Sequence, residues 1–131
     1  MIFDSHMHTE VSADSSMKAA DALKRASELG IGAVFTEHED MNFPGEKDFT
    51  FSPQDYWAKY EALRGEGEHL RLGVELGMQD GLAKKNRAFV EEAPFDQVIG
   101  SIHTIEGHDL YYADIYKDRA KDDLYRLYLE T

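Results

Sequence analysis

The sequence contains no cysteine, which excludes disulfide bonds and thiolate metal sites from this chain. Basic residues are scarce, since 14 Lys and Arg face 26 Asp and Glu and give a formal net charge of -12. Such a charge opposes binding to a nucleic-acid backbone or to anionic lipid. The sequence also lacks an apolar run of membrane-spanning length and an N-terminal secretory pattern. We therefore expect a cytoplasmic protein that binds neither nucleic acid nor membrane.

The remaining composition suits one globular domain over residues 1–131. Hydrophobic residues make up 42% of the 131 residues, which is enough for a packed core. Hydrophobic periodicity predicts strands over residues 2–8, 31–38, 70–76 and 95–103, and helices over 16–29, from 53 to the glycines at 65 and 67, over about 81–92 and from about 119 to the end. This alternation predicts an α/β fold with a parallel sheet flanked by helices.

Local signals support the ends of two predicted helices. Gly30 follows the first helix as a C-terminal cap. Ser52, Pro53 and Asp55 have the pattern of an N-cap, a first helical position and a first-turn acid. The tyrosine-rich C-terminal third is expected to pack in the core and between helices rather than to stack on bases.

The first predicted strand carries polar side chains on one face. Asp4, His6 and His8 occupy alternate positions, so the two imidazoles point the same way, about 7 Å apart along the strand. They can bind one ion, and Asp4 can either orient an imidazole or act as a ligand. The alternative is a solvated edge strand. A polar stripe without partners would, however, be costly in the first strand of a buried sheet.

Further candidate ligands lie at the C-terminal ends of the other predicted strands. His38, Glu75 and His103 follow one another at separations of about 30 residues, the length of one βα unit. In β/α folds the loops at this rim converge on one cavity. A buried carboxylate such as Glu75 is costly unless it is paired or bound to a metal. Taken singly, His38 could also belong to a cluster that starts a helix, and His103 could be a core histidine with its hydrogen bonds satisfied.

These residues together favour a metal cluster over separate explanations for each one. Asp14 is a further candidate ligand, although Asp-Ser-Ser is also a good helix cap. Imidazole and oxygen donors without sulfur suit Zn, Mn or Fe. Several neighbouring cations suit phosphoryl chemistry. The sequence has no G-x-S-x-G, cysteine nucleophile or P-loop that would favour another reaction.

Five segments resemble the polymerase and histidinol phosphatase (PHP) family, and within it the histidinol-phosphatases. The matching segments are "DSHMHTEVSADS", "FTEHEDMNFP", "GVELGMQ", "IGSIHTIEG" and "DLYY...YRLYLE". They occur in the family's order and spacing over essentially the whole chain. The first four are specific in combination, and the last is more typical of the histidinol-phosphatase branch.

The resemblance implies a distorted seven-stranded β/α barrel with up to three divalent ions at its C-terminal rim. The ligands carried over are His6 and His8 for the first ion, Glu75 bridging the first and second, His103 for the second, and Asp14 and His38 for the third, with Asp4 and Glu37 as supporting groups around them. The implied reaction belongs to histidine biosynthesis. A metal-bridging hydroxide attacks histidinol phosphate, a small phosphate monoester, and releases histidinol and phosphate.

The chain departs from the family in length. A complete β/α barrel has about 250 residues, and this sequence accounts for about the first four βα units. A further histidine, an Asp-x-His pair and a basic phosphate-binding residue of the family have no counterpart in it. The resemblance therefore covers the N-terminal portion of a PHP domain, to be completed by a C-terminal half or by homo-oligomerisation. Two alternatives stay open: a phosphoesterase acting on nucleic-acid ends, and a truncated metal-binding module without activity of its own.

Overall fold

The structure is a computed structural model that describes residues 1–65 and 69–131. Gly67, one of the two glycines predicted to end the second helix, lies outside this part of the chain. The described elements run in the order β1 (Phe3–Met7), α1 (Ala19–Leu29), β2 (Gly32–Glu39), α2 (Pro53–Tyr60), β3 (Leu70–Gly77), α3 (Ala83–Glu91), β4 (Gln97–Ser101), β5 (Thr104–Ile105), β6 (His108–Asp109) and α4 (Lys121–Glu130), with short 3-10 helices at Glu61–Leu63 and Ala113–Tyr116.

Strands β1 to β4 form one parallel sheet in the order β1-β2-β3-β4. The register places His38 opposite Glu75, and Glu75 opposite Ile99. The sheet is curled, so that its two outer strands approach one another. The side-chain amide of Gln97 on β4 donates a hydrogen bond to the carbonyl oxygen of Ser5 on β1 at 2.9 Å. Alternating parallel strands and helices confirm the predicted α/β class.

The hydrophobic core lies between the sheet and helices α1 and α2. Both central strands are buried almost throughout, as expected for parallel strands covered on both faces. Helix α1 contributes alanines to this core, and α2 contributes Tyr56 and Tyr60. The Tyr56 hydroxyl donates to the carbonyl oxygen of Phe35 at 2.9 Å, which ties α2 to β2.

Two predicted helix ends are confirmed, and one differs. Gly30 adopts a left-handed conformation with φ of 67° at the end of α1, and the Ser52 side chain accepts from the backbone N–H of Asp55. Helix α1, however, begins at Ala19 rather than at residue 16, and its N-cap, Lys18, makes no side-chain cap. The Ser15 hydroxyl instead donates to the carbonyl oxygen of His8, so the serine stabilises the loop after β1.

The C-terminal third differs from the prediction. The fourth strand ends at Ser101, and a two-stranded hairpin of β5 and β6 follows it. The expectation that the tyrosines of this third pack in the core is wrong for all five, which are exposed: Tyr111, Tyr112, Tyr116, Tyr125 and Tyr128. Among the described residues, no helix has both the length and the apolar character needed to cross a membrane.

Candidate metal centre

Glu75 on β3 lies at the centre of the predicted ligand set. Its carboxylate Oε2 lies 3.0 Å from His6 Nε2, 3.3 Å from His8 Nε2 and 3.4 Å from His38 Nδ1. Its Oε1 lies 3.2 Å from His103 Nε2. Side chains from β1, β2, β3 and the segment after β4 therefore meet around one carboxylate. The structure brings these five predicted residues together.

Glu75 is buried but remains ionised. Burial by itself would raise the pKa of its carboxyl group. Hydrogen bonds from His103, from the Ser101 hydroxyl at 2.6 Å and from His6 outweigh burial and hold the pKa well below its usual value. A buried carboxylate with this protonation state is suited to bind or bridge cations.

His8 and His38 lie side by side at the same rim. Their rings stack with centroids 4.2 Å apart and an interplanar angle of 3°. Burial, followed by repulsion from His38, lowers the pKa of His8, which favours the neutral imidazole that metals require. Asp14, in the loop after β1, lies 3.5 Å from Nε2 of His38 through its Oδ2 atom. The structure thus brings Asp14 to the histidine with which it was grouped.

Asp40 is a member of the cluster that the sequence analysis missed. It is buried, and its carboxylate contacts Nδ1 of His103 at 2.8 Å and Nδ1 of His38 at 3.1 Å. Burial opposes ionisation of Asp40, but hydrogen bonds from His103 and His38 outweigh it and lower the pKa. One signal was available, because residues 38 and 40 are two apart at the end of a strand and therefore lie on the same face.

The pKa values of the two histidines that contact Asp40 are raised, whereas that of Asp40 is lowered. The pKa of His103 is raised to about 10, mainly by its hydrogen bonds to Asp40 and Glu75. Burial lowers the pKa of His38, but its hydrogen bond to Asp40 and the nearby Glu75 reverse the effect and raise it. Both rings are therefore strongly bound to carboxylates.

The donor atoms fit divalent cations. Two groups have ligand atoms that all lie within 4.8 Å of one another: His6, His8 and Glu75 in one, and His38, Asp40 and His103 in the other. Imidazole nitrogens and carboxylate oxygens are the donors that Zn, Mn and Fe accept. Ionised Glu75 and Asp40 also supply the negative charge that would offset bound cations.

The two residues predicted as supporting groups contact other partners. Asp4 is exposed, and among the described residues its carboxylate contacts the backbone N–H of His6 at 3.4 Å rather than an imidazole. Glu37 is fully buried and accepts hydrogen bonds from the hydroxyl groups of Thr9 and Ser12, both at 2.6 Å. Ser12 also accepts from the backbone N–H of His38 at 3.0 Å, so Glu37 supports the centre indirectly.

An open cleft of about 680 Å³ adjoins the cluster. It is lined by Asp4, His6, Met7, His8, Asp14, Ser15, Ser16 and Met17. None of these lining residues is Lys or Arg. An anionic ligand in this cleft would therefore need cations or a basic group from elsewhere.

Comparison with known proteins places this geometry in context. A family model described as the PHP domain matches residues 4–131. A probable histidinol-phosphatase from Clostridium acetobutylicum is 36% identical over 131 residues, which cover 100% of this chain and 51% of that protein. A histidinol-phosphatase from Lactococcus lactis subsp. lactis is 31% identical, with 96% of this chain and 48% of that protein covered.

A solved structure matches the fold closely. It is that of histidinol phosphate phosphatase from Lactococcus lactis complexed with Zn, L-histidinol and phosphate, with a TM-score of 0.88 and 30% sequence identity. The match covers 98% of this chain and 51% of that one. The four parallel strands therefore correspond to a curled half of such a barrel. The chain spans about half the length of the curated relatives it matches.

Proposed function

Because this chain belongs to the PHP domain family, we propose that it is the N-terminal part of a metal-dependent phosphomonoesterase that hydrolyses histidinol phosphate to histidinol and phosphate. The observation that carries this proposal is the meeting of four imidazoles on the buried Glu75 carboxylate at one rim of the sheet. Both curated relatives are named as histidinol-phosphatases, and the solved relative contains Zn, histidinol and phosphate, which supports this substrate class. The step would belong to histidine biosynthesis.

The proposed ligand set is the one that the resemblance to the PHP family implies. We assign His6 and His8 to a first ion, Glu75 to a bridge between the first and second, His103 to the second, and Asp14 and His38 to a third. Zn is supported by the solved relative, while Mn and Fe suit the same donors. Asp4 and Glu37 are assigned supporting roles, and that of Glu37 acts through the loop containing Thr9 and Ser12.

The residues of this chain would bind the ions and orient the ligand side chains around them. Bound divalent ions would lower the pKa of a water molecule and offset charge on the phosphoryl oxygens. Ionised Glu75 holds the imidazoles of β1 and of the segment after β4 in one arc. The Ser101 hydroxyl fixes the Glu75 carboxylate by donating to Oε1. The cleft beside His6 and His8 offers a site for the phosphate ester.

The proposal includes completion of the domain. Residues 1–131 would form the N-terminal portion of a PHP domain, and a C-terminal half or a second copy would supply the remaining ligands and a basic residue for the phosphate. The absence of Lys and Arg from the cleft lining supports the need for such a contribution.

The test combines metal analysis with an assay on histidinol phosphate in the presence of added Zn or Mn. Bound metal is expected in the chain, and turnover once a second copy or a C-terminal half completes the domain. Turnover should be abolished and bound metal reduced in His6→Ala and Glu75→Ala, because these variants remove a ligand and the bridging carboxylate. His69→Ala is the control, since His69 is exposed and lies before β3, away from the rim. Bound metal without turnover on any phosphate monoester in the completed domain would contradict the enzymatic proposal and leave a metal-binding module.

A further inference from the structure

We propose that Asp40 is a positioning residue that fixes the imidazole rings of His38 and His103 in the orientation required for ion binding. This inference rests on the proposed function in that the two rings are taken to be ligands. It goes beyond that function because it assigns a role to a residue outside the proposed ligand set, and because it predicts that one carboxylate couples two ion sites.

The contacts of Asp40 define the orientation of both rings. Its Oδ1 atom lies 2.8 Å from Nδ1 of His103, and its Oδ2 atom lies 3.1 Å from Nδ1 of His38. The opposite ring nitrogens then face the other carboxylates of the cluster, with His103 Nε2 at 3.2 Å from Glu75 and His38 Nε2 at 3.5 Å from Asp14. Asp40 therefore lies behind both rings as seen from the proposed ions.

One carboxylate can reach both histidines because their rings are close and inclined. The ring centroids lie 5.0 Å apart, with an interplanar angle of 71°. His38 Nδ1 also lies 3.4 Å from Glu75, but its contact with Asp40 is shorter at 3.1 Å. Each oxygen of the Asp40 carboxylate is thus matched to one ring.

The backbone and the burial of Asp40 hold this carboxylate in place. The residue is only 2% exposed, so bulk water has little access to replace the ring contacts. Its backbone N–H donates to the carbonyl oxygen of Phe49 at 2.8 Å, and its own carbonyl oxygen accepts from Phe43 N–H at 3.2 Å. Asp40 is therefore anchored on both sides of its side chain.

Gly77 provides the space that the Asp40 carboxylate occupies. A Cβ atom added at Gly77 would overlap Asp40 Oδ1 and would lie 2.9 Å from Asp40 Cγ. Gly77 is absent from the residues with positive φ, so space rather than backbone conformation requires glycine at this position. The end of β3 is thus shaped to accept the carboxylate from the end of β2.

The chemistry of imidazole explains why this matters for ion binding. A neutral ring that donates its Nδ1–H to a carboxylate keeps the lone pair on Nε2, which is the atom left for the ion. Such outer carboxylates fix the tautomer and orientation of metal-binding histidines, and their loss commonly costs about 10–100-fold in metal affinity. Because His38 and His103 are assigned to different ions, removal of Asp40 should weaken two sites.

Asp40→Asn tests the proposal without changing the size of the side chain. Asparagine has one acceptor oxygen, so it can accept from the Nδ1–H of one ring only, and its NH2 group would force the other ring to carry its proton on Nε2. We expect Zn affinity to fall by about 10–100-fold. Long-range 1H–15N spectra of the Zn-loaded chain should show Nε2 coordination of His38 and His103 in the wild type, and a changed tautomer in the variant.

A second variant moves the carboxylate instead of removing it. Gly77→Ala should displace Asp40 and reproduce the loss of Zn affinity, whereas Gly100→Ala should not. A Cβ at Gly100 would meet only the flexible Met78 side chain, at 3.4 Å. Glu39→Gln controls for loss of a neighbouring buried carboxylate, because Glu39 accepts from the backbone of Phe51 and contacts neither ring. Unchanged Zn affinity in both Asp40→Asn and Gly77→Ala would overturn the proposal.

The outcomes separate this inference from the proposed function. Zn bound through Nδ1 of His38 and His103 in the wild type would overturn it, because Asp40 would then be a direct ligand. Zn uptake without turnover would contradict the phosphatase proposal and leave the role of Asp40 standing. If the wild type takes up no Zn, slowly exchanging Nδ1 protons of His38 and His103, at least one of which is lost in Asp40→Asn, still support the role of Asp40, and their absence from the wild type overturns it.

Discussion

At the residue scale, Glu37 is a buried carboxylate whose contacts lie in the loop beside the candidate ligands. Both of its oxygens accept from the backbone N–H of Thr9, at 3.1 and 3.0 Å, in addition to the hydroxyl groups of Thr9 and Ser12. The Thr9 hydroxyl lies 2.9 Å from the Tyr60 hydroxyl, which extends the network to helix α2. Glu37 thus connects the loop that carries Asp14 to the core.

Glu37→Gln should lower the free energy of unfolding by about 1–3 kcal/mol. An amide has one acceptor oxygen, so one hydroxyl donor would be left buried without a partner. Urea denaturation in the presence of a chelator measures this loss apart from any effect on metal binding. Glu61→Gln is the control, because Glu61 is exposed. Equal unfolding free energies for the two variants would contradict the role given to Glu37.

The site residues that the sequence could predict are those whose position depends on local periodicity. His6 lies on β1 and His8 directly follows its end, two positions on, and Glu75 alternates against the leucines of β3, so the strand period predicts their faces. The place of Asp40 in the site could not be predicted in this way. Its role depends on His103, which is 63 positions away, and on the space above Gly77. Both are tertiary contacts that the sequence does not display.

At the scale of the elements, helix α1 and its glycine cap determine how the chain turns into β2. Gly30 N–H donates to the carbonyl oxygen of Ser27 at 3.1 Å, and Ile31 N–H donates to that of Ala26 at 3.0 Å. The left-handed conformation of Gly30 makes both bonds possible. The turn then leads directly into the buried strand that carries His38.

Gly30→Ala should destabilise the chain by about 1–2 kcal/mol, because a residue with a Cβ is strained in the left-handed region. Gly30→Asn should cost less, since asparagine tolerates this conformation. Thermal and urea unfolding of the three proteins would measure the order of stability. A Gly30→Ala variant as stable as the wild type would show that the turn can be made without the left-handed residue.

The order of the main elements was predictable from sequence, and the small ones were not. The four strands of the sheet have clear apolar runs or alternation. Strands β5 and β6 have two residues each, which is too short for a periodic pattern. Gly107 was a local sequence signal for a turn. In the structure Glu106 and Gly107 both have positive φ, 50° and 75°, as in the tight turns of hairpins.

At the scale of the whole molecule, the sheet has two outer strands, β1 and β4. Apolar side chains are exposed on or near them, including Ile2 at 77% and Val98 at 45%. The aromatic and apolar residues of the C-terminal third are exposed as well, with Tyr111 at 87% and Leu129 at 82%. Exposed edges and apolar surface of this kind promote association with another chain.

The 131-residue chain is therefore expected to self-associate with rising concentration, which sedimentation velocity would detect. Val98→Lys should reduce association, because a charge on an outer strand opposes pairing of edges. Leu29→Lys, at an exposed position on α1 away from the sheet, is the matched control and should leave association unchanged. A chain that stays monomeric at all concentrations would contradict this expectation.

The hydrogen bond from Gln97 to Ser5 has a consequence for assembly. It joins residues 92 positions apart at the two ends of the arc formed by the sheet, and so limits how far the outer strands can separate. A contact inside these 131 residues therefore helps to hold the bend that brings the histidines together. Any segment that completes the ring would meet an opening whose width is already defined.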